Sequence, residues 1–124
     1  MFWSCFHIFI FSHRIKKRLF ALAQLEKKGF LSHLAQLPKA TAVILFGSFS
    51  RSDWHKDSDI DLFIYGEADG FDYGTYRRSL HREIQIIKCK NTEELTRLSK
   101  GLLRNIFEGY HIKGFLDVEV KAYA

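Results

Sequence analysis

Asp59 and Asp61 stand one residue apart at the start of the apolar run "DIDLFIY". Successive side chains of a strand alternate faces, so both carboxylates point the same way, with Cβ atoms roughly 6.5–7 Å apart. Carboxylates at that range oppose each other's ionisation unless a cation lies between them. Magnesium suits the pair, because it takes hard oxygen ligands and binds one or two carboxylates together with substrate phosphates. An earlier apolar run, "TAVILF", ends at Gly47 and Ser48. A glycine lets backbone approach a ligand closely. The N–H groups that follow can cradle an anion, and Ser48 adds a hydroxyl. A phosphate cradle beside a carboxylate clamp describes a site for a nucleoside triphosphate with magnesium. A second ion would need a third carboxylate, and Glu83, which opens "EIQIIKC", is placed to supply it. Gln85 shares the face of Glu83 but cannot be a charged ligand, and Ile84 faces the other way.

Other readings of the same residues fit less well. The aspartates could cap a turn, but that leaves the Gly-Ser strand end without a purpose. A calcium loop of the EF-hand type would start at Asp57 and want glycine sixth and glutamate twelfth. Those places hold Leu62 and Ala68. A Walker-type phosphate loop would end in glycine, lysine and serine or threonine, and that ending is missing here.

The elements around these residues alternate in type. "RIKKRLFALAQLEKKG" has helical spacing, with Ile15, Leu19 and Leu22 on one face, and Gly29 breaks it. Phe30, Leu34 and Leu37 resume the period until Pro38 ends it. "TAVILF" and "DIDLFIY" are strands around a polar loop, and Ser48 begins a short helical or turn segment. A glycine-containing loop leads to a short helix over "TYRRSLHR". A third strand follows at "EIQIIKC". Asn91 caps a further helix, with Glu94 at the reciprocal capping position. "LLRNIFEG" adds a last helical turn or two after Gly101, and "YHIKGFLDVEV" is a mixed tail. This pattern predicts an α/β (α+β) fold, a small mixed sheet flanked by helices. A single domain over 1–124 is expected, with a helical segment at 1–41 and a catalytic core at 42–114.

Composition bounds the function class. The chain has 124 residues, enough for one domain, and one proline and eight glycines argue against disorder. A formal charge of +5 permits an anionic partner without requiring one. The basic cluster Arg14, Lys16, Lys17 and Arg18 reads as a solvated helix face, so nucleic acid is not the expected partner. Cys5 and Cys89 sit at no metal-binding spacing and read as free thiols of a reducing, cytoplasmic compartment. "MFWSCFHIFIF" is apolar, but a spanning helix needs about 20 residues. It reads as a packing or partner-contact segment, with no membrane role.

The linked pattern Phe46-Gly47-Ser48, ten residues, then Asp59-Ile60-Asp61-Leu62 resembles the DNA polymerase beta-like nucleotidyltransferase superfamily, and its minimal bacterial and archaeal members in particular. The likeness extends over about residues 42–114, including "REIQII" and "LLRNIFEGYHIKG". It implies two-metal transfer of a nucleoside monophosphate, AMP from ATP, onto a hydroxyl. Asp59, Asp61 and Glu83 would then be the catalytic metal ligands. Gly47 and Ser48 would take the β- and γ-phosphates, and Arg51 would neutralise their charge. His55 and Lys56 lie in the same loop. The resemblance also implies a small helical, toxin-like protein partner or a homodimer, with a nucleotide-binding antitoxin module as the alternative to an active enzyme. The chain departs from the pattern at Ser52, where glycine is common, and at Arg82 and Gln85, which flank the third acid with polar groups.

Overall fold

A computed structural model describes residues 5–49, 54–55 and 57–116, leaving aside the side chains of 5–12 and 14. Arg51, Lys56, Phe2 and Trp3 lie outside the described residues, as do the side chains of Phe6, Ile8, Phe9 and Phe11.

Helix α1 (Cys5–Lys27) runs through the basic segment and begins earlier than the apolar spacing predicts. Its core-facing pair is Ala21 and Leu25, one turn apart. Ile15 and Leu19, expected on the packed stripe, are 41% and 59% exposed, while Leu22 packs against the core. Among the described side chains of α1, those that reach the core lie in its last turns, so the apolar spacing at Ile15 and Leu19 extends past the surface that could use it. Gly29 at φ 76° turns the chain into α2 (Phe30–Ala35). Glu26 holds that junction by accepting from the Ser32 N–H and hydroxyl, at 3.1 and 2.6 Å.

Strand β1 (Ala40–Phe46) is buried along its whole length except Thr41, as a continuous apolar run requires when both sheet faces are covered. A 3-10 turn (Gly47–Phe49) follows it. Strand β2 (Ile60–Gly66) pairs antiparallel with β1, Phe46 opposite Asp61. Helix α3 (Tyr73–Leu80) carries the chain across to β3 (Ile84–Cys89), which runs parallel to β2. Helices α4 (Thr92–Thr96) and α5 (Lys100–Phe107) follow, then β4 (Tyr110–Lys113), antiparallel to β1. The sheet order is β3-β2-β1-β4, a mixed α/β arrangement.

Alternation sorts the core onto two faces. Val43, Leu45, Ile60, Leu62 and Ile64 meet Leu25, Phe30 and Leu34 of α1 and α2. Ala42, Ile44, Phe46 and Phe63 meet Leu95 of α4 and Leu103 and Ile106 of α5. Strand β4 lies where a mixed tail is expected. Its four residues alternate too weakly to announce a strand, and it is held by pairing with β1 and by Lys113 Nζ donating to the Leu37 carbonyl. Gly101 lies inside α5, which begins earlier, at a Ser99 cap that accepts from the Leu102 N–H at 3.1 Å. Asn91 caps α4 as expected, but Glu94 reaches back to the Lys90 N–H.

Candidate active site

The strand register places Asp61 at the start of β2, opposite the last residue of β1. It shares the face of Phe63, which farther along is covered by α4 and α5. Asp59 lies two residues earlier, just ahead of the strand, and is half-buried. Gly47 turns away from the end of β1 at φ 80°. A Cβ there would collide with the Asp61 carboxylate. The glycine is therefore what allows that carboxylate to lie against the backbone of the Gly47–Phe49 turn. Ser48, half-buried, is next in that turn. Asp59, Asp61, Gly47 and Ser48 thus come together at one end of the central strand pair.

A braced loop delivers Asp59. His55 N–H donates to Ser58 Oγ and Ser58 N–H to the His55 carbonyl, both at 3.0 Å. Arg82 donates to the carbonyls of His55 and Ser58, at 2.8 and 2.7 Å, from behind the loop. Its guanidinium lies 4.0 Å from the Trp54 ring centroid, and Trp54 in turn meets Phe49 edge-on. Partial burial lowers the Arg82 pKa from its ordinary value, while Asp57 acts in the opposite direction. Arg82 thus ties the approach to Asp59 to the turn that carries Gly47.

Glu83 does not join the aspartates. Its carboxylate accepts from Arg77 Nε at 2.9 Å and Nη2 at 2.5 Å. That hydrogen bond, chiefly, holds Glu83 below the usual glutamate range. The side chain that does reach the pair is Gln85, whose Nε2 donates to Asp59 Oδ2 at 3.0 Å. Among the described residues, no set of three His, Cys, Asp or Glu side chains converges to hold a metal. Two carboxylates beside a glycine with no room for a side chain fit one divalent cation with a phosphate ligand. A three-carboxylate set is not assembled.

A cavity of about 460 Å³ opens beside Asp59, lined also by Arg77, Arg78 and Arg82. Asp57, Asp59 and Glu83 share that wall, so three guanidinium groups stand among three carboxylates. Sequence reasoning assigned no role to Arg77 or Arg82. The signal for Arg77 was available, since α3 returns its basic end to the start of β3. A second cavity, of about 470 Å³, lies between α1 and Trp54 and contains neither aspartate.

Residues 27–118 match the Nucleotidyltransferase domain family. A 31-residue stretch is 55% identical to a Methanocaldococcus jannaschii protein named "Putative protein adenylyltransferase MJ0604". That match spans 25% of this chain and 30% of the relative. Among solved structures, a toxin-antitoxin with AMP-PNP aligns at a TM-score of 0.47 and 20% identity, covering 86% of this chain and 80% of the other. A mutant of the toxin-antitoxin MntA-HpeT aligns at 0.45 and 18% identity, with the same coverage.

Proposed function

The chain belongs to the nucleotidyltransferase domain family, and from that premise we propose that it moves a nucleoside monophosphate, AMP from ATP, onto a hydroxyl of a protein or small-molecule acceptor. The observation that carries this reading is the placement of Asp61 over side-chain-free Gly47, with Asp59 on the same side of the strand end. In this scheme Asp59 and Asp61 hold magnesium. That ion, when bound, offsets charge on the triphosphate and the leaving pyrophosphate. Gly47 and Ser48 take the β- and γ-phosphates. Arg77, Arg78 and Arg82 stand on the wall of the adjoining cavity, among three carboxylates, and can donate to phosphate oxygens there. Arg51 adds a further cation from outside the described residues. The acceptor oxygen bonds to the α-phosphorus, the bond to the β-phosphate bridge breaks, and pyrophosphate leaves. Glu83 can accept the acceptor's proton only after leaving Arg77.

A protein acceptor is supported by the name of the Methanocaldococcus relative, and a toxin-like protein partner by the toxin-antitoxin neighbours' titles; that this partner is small and helical is part of the proposal. A homodimer is the other assembly this reading allows. No described helix is long and apolar enough to cross a membrane. Cys89, a free buried thiol, suits a cytoplasmic setting. The Arg77–Glu83 pair favours one alternative, a nucleotide-binding antitoxin module with weak transfer.

Transfer of label from α-phosphate-labelled ATP, with magnesium and candidate acceptors, tests the reading. Asp59→Asn and Asp61→Asn are each expected to abolish transfer while the circular dichroism spectrum stays native. Unchanged transfer by either variant would refute the site.

A further inference from the structure

Two-ion chemistry needs a negatively charged group beyond the pair that holds the first ion. The register shows which side chain occupies that place. Strand β3 runs parallel to β2 with Ile84 opposite Ile60 and Gln85 opposite Asp61. Ile60 and Ile84 both point into the core beneath α1 and α2. Gln85 therefore points to the other face, with Asp61, one strand spacing of about 4.8 Å away. Its amide already donates to Asp59 Oδ2 at 3.0 Å. Glu83 has the same parity but lies ahead of the strand, and its carboxylate goes to Arg77 on α3. Tyr76 and Leu80 pack α3 against the opposite face of the sheet. Glu83 thus shares a cavity wall with Asp59, but its carboxylate is held by Arg77, whereas Gln85 bonds Asp59 directly.

An amide differs from a carboxylate in two ways here. Its N–H₂ supports a neighbouring carboxylate by hydrogen bonding, and its oxygen is a neutral ligand at most. Asp59, Asp61 and Gln85 together carry two negative charges, which match one divalent cation.

We propose that Gln85, not Glu83, is the third side chain of this site, a positioning residue that holds Asp59 and limits the pair to one divalent cation. The proposal rests on the nucleotidyltransferase reading. It implies that, among the described residues, no third carboxylate holds a second ion beside the acceptor hydroxyl, so the acceptor's proton goes to a group on the acceptor's side unless Glu83 first leaves Arg77.

Manganese, titrated into the full chain with a non-hydrolysable ATP analogue and counted by electron paramagnetic resonance, tests this without any turnover. The wild type is expected to bind one ion, Gln85→Glu two, and Glu83→Gln one with unchanged affinity. Gln85→Leu should keep one ion but bind it about tenfold more weakly, since Asp59 loses its support. Two ions in the wild type, loss of an ion in Glu83→Gln, or a single ion in Gln85→Glu would each overturn the proposal while leaving nucleotide binding intact. A wild type that binds neither manganese nor the analogue, like Asp59→Asn, would instead overturn the nucleotidyltransferase reading and the proposal with it.

Discussion

Gly47 and Asp61 make one steric unit, because the space a Cβ would need at Gly47 is taken by the Asp61 carboxylate. Gly47→Ala would therefore suffer twice. The left-handed backbone at φ 80° costs a residue with a Cβ about 1–2 kcal/mol. The methyl would also push Asp61 off the turn. Urea unfolding should show a loss of about 1–2 kcal/mol or more, and nucleotide-dependent manganese binding should fall with it. Full metal binding in a folded Gly47→Ala would separate the two residues. Glu83 carries a second prediction at this scale. Its folded pKa is lowered, first of all by the Arg77 hydrogen bond. The Arg77–Glu83 contribution is therefore present above the ordinary glutamate pKa and is lost as pH falls through the lowered folded value. Carboxyl NMR of Glu83 should give a midpoint below the usual glutamate range, and Arg77→Gln should return it upward. An unmoved midpoint would mean that the ion pair does not persist in solution.

Between residue and fold stand Trp54, His55 and Ser58, all three held by Arg82. Arg82→Ala removes two hydrogen bonds from a charged donor to main-chain carbonyls, together with the stacking on Trp54. A loss of about 1–3 kcal/mol is expected, with faster amide exchange at Ser58 and Asp59. Arg82→Lys should recover less than half, because a lysine cannot span both carbonyls and stack. Protection unchanged in Arg82→Ala would show that the loop braces itself. The same elements mark what the sequence made legible. Strand β1 announced itself through its apolar run and β2 through the run that follows Asp61, and the two aspartates and Gly47 through their places at the strand ends. Gln85 was legible as sharing a face with Glu83, but its contact with Asp59 depends on the parallel register of β3, which is a long-range property. The capture of Glu83 by Arg77 likewise needed the position of α3. Strand β4 is too short for periodicity to reveal, and α1 continues its apolar spacing to Ile15 and Leu19, which stay exposed.

At the scale of the whole molecule, one sheet divides the core, and β1 and β2 supply side chains to both halves. Leu62 packs with α1 and α2, while its neighbour Phe63 packs with α4 and α5. Both are fully buried. Adjacent residues of one strand thus hold two helix layers on opposite faces of the sheet. If the layers unfolded separately, Leu62→Ala would loosen α1 and α2 alone and Phe63→Ala would loosen α4 and α5 alone. The shared strands argue for one transition. Each substitution is expected to cost about 2–5 kcal/mol and to lower a single midpoint seen alike by far-ultraviolet circular dichroism and tryptophan fluorescence. With Trp3 replaced by Phe throughout, Trp54 reports from the α1 side, so Phe63→Ala, on the opposite face, is the stringent case. A fluorescence midpoint that stays at the wild-type value in Phe63→Ala, while helix content is lost earlier, would show that the two layers fold independently. Coincident shifts would mean that the strand end carrying Asp61 is supported from both faces, so that weakening either layer loosens the site.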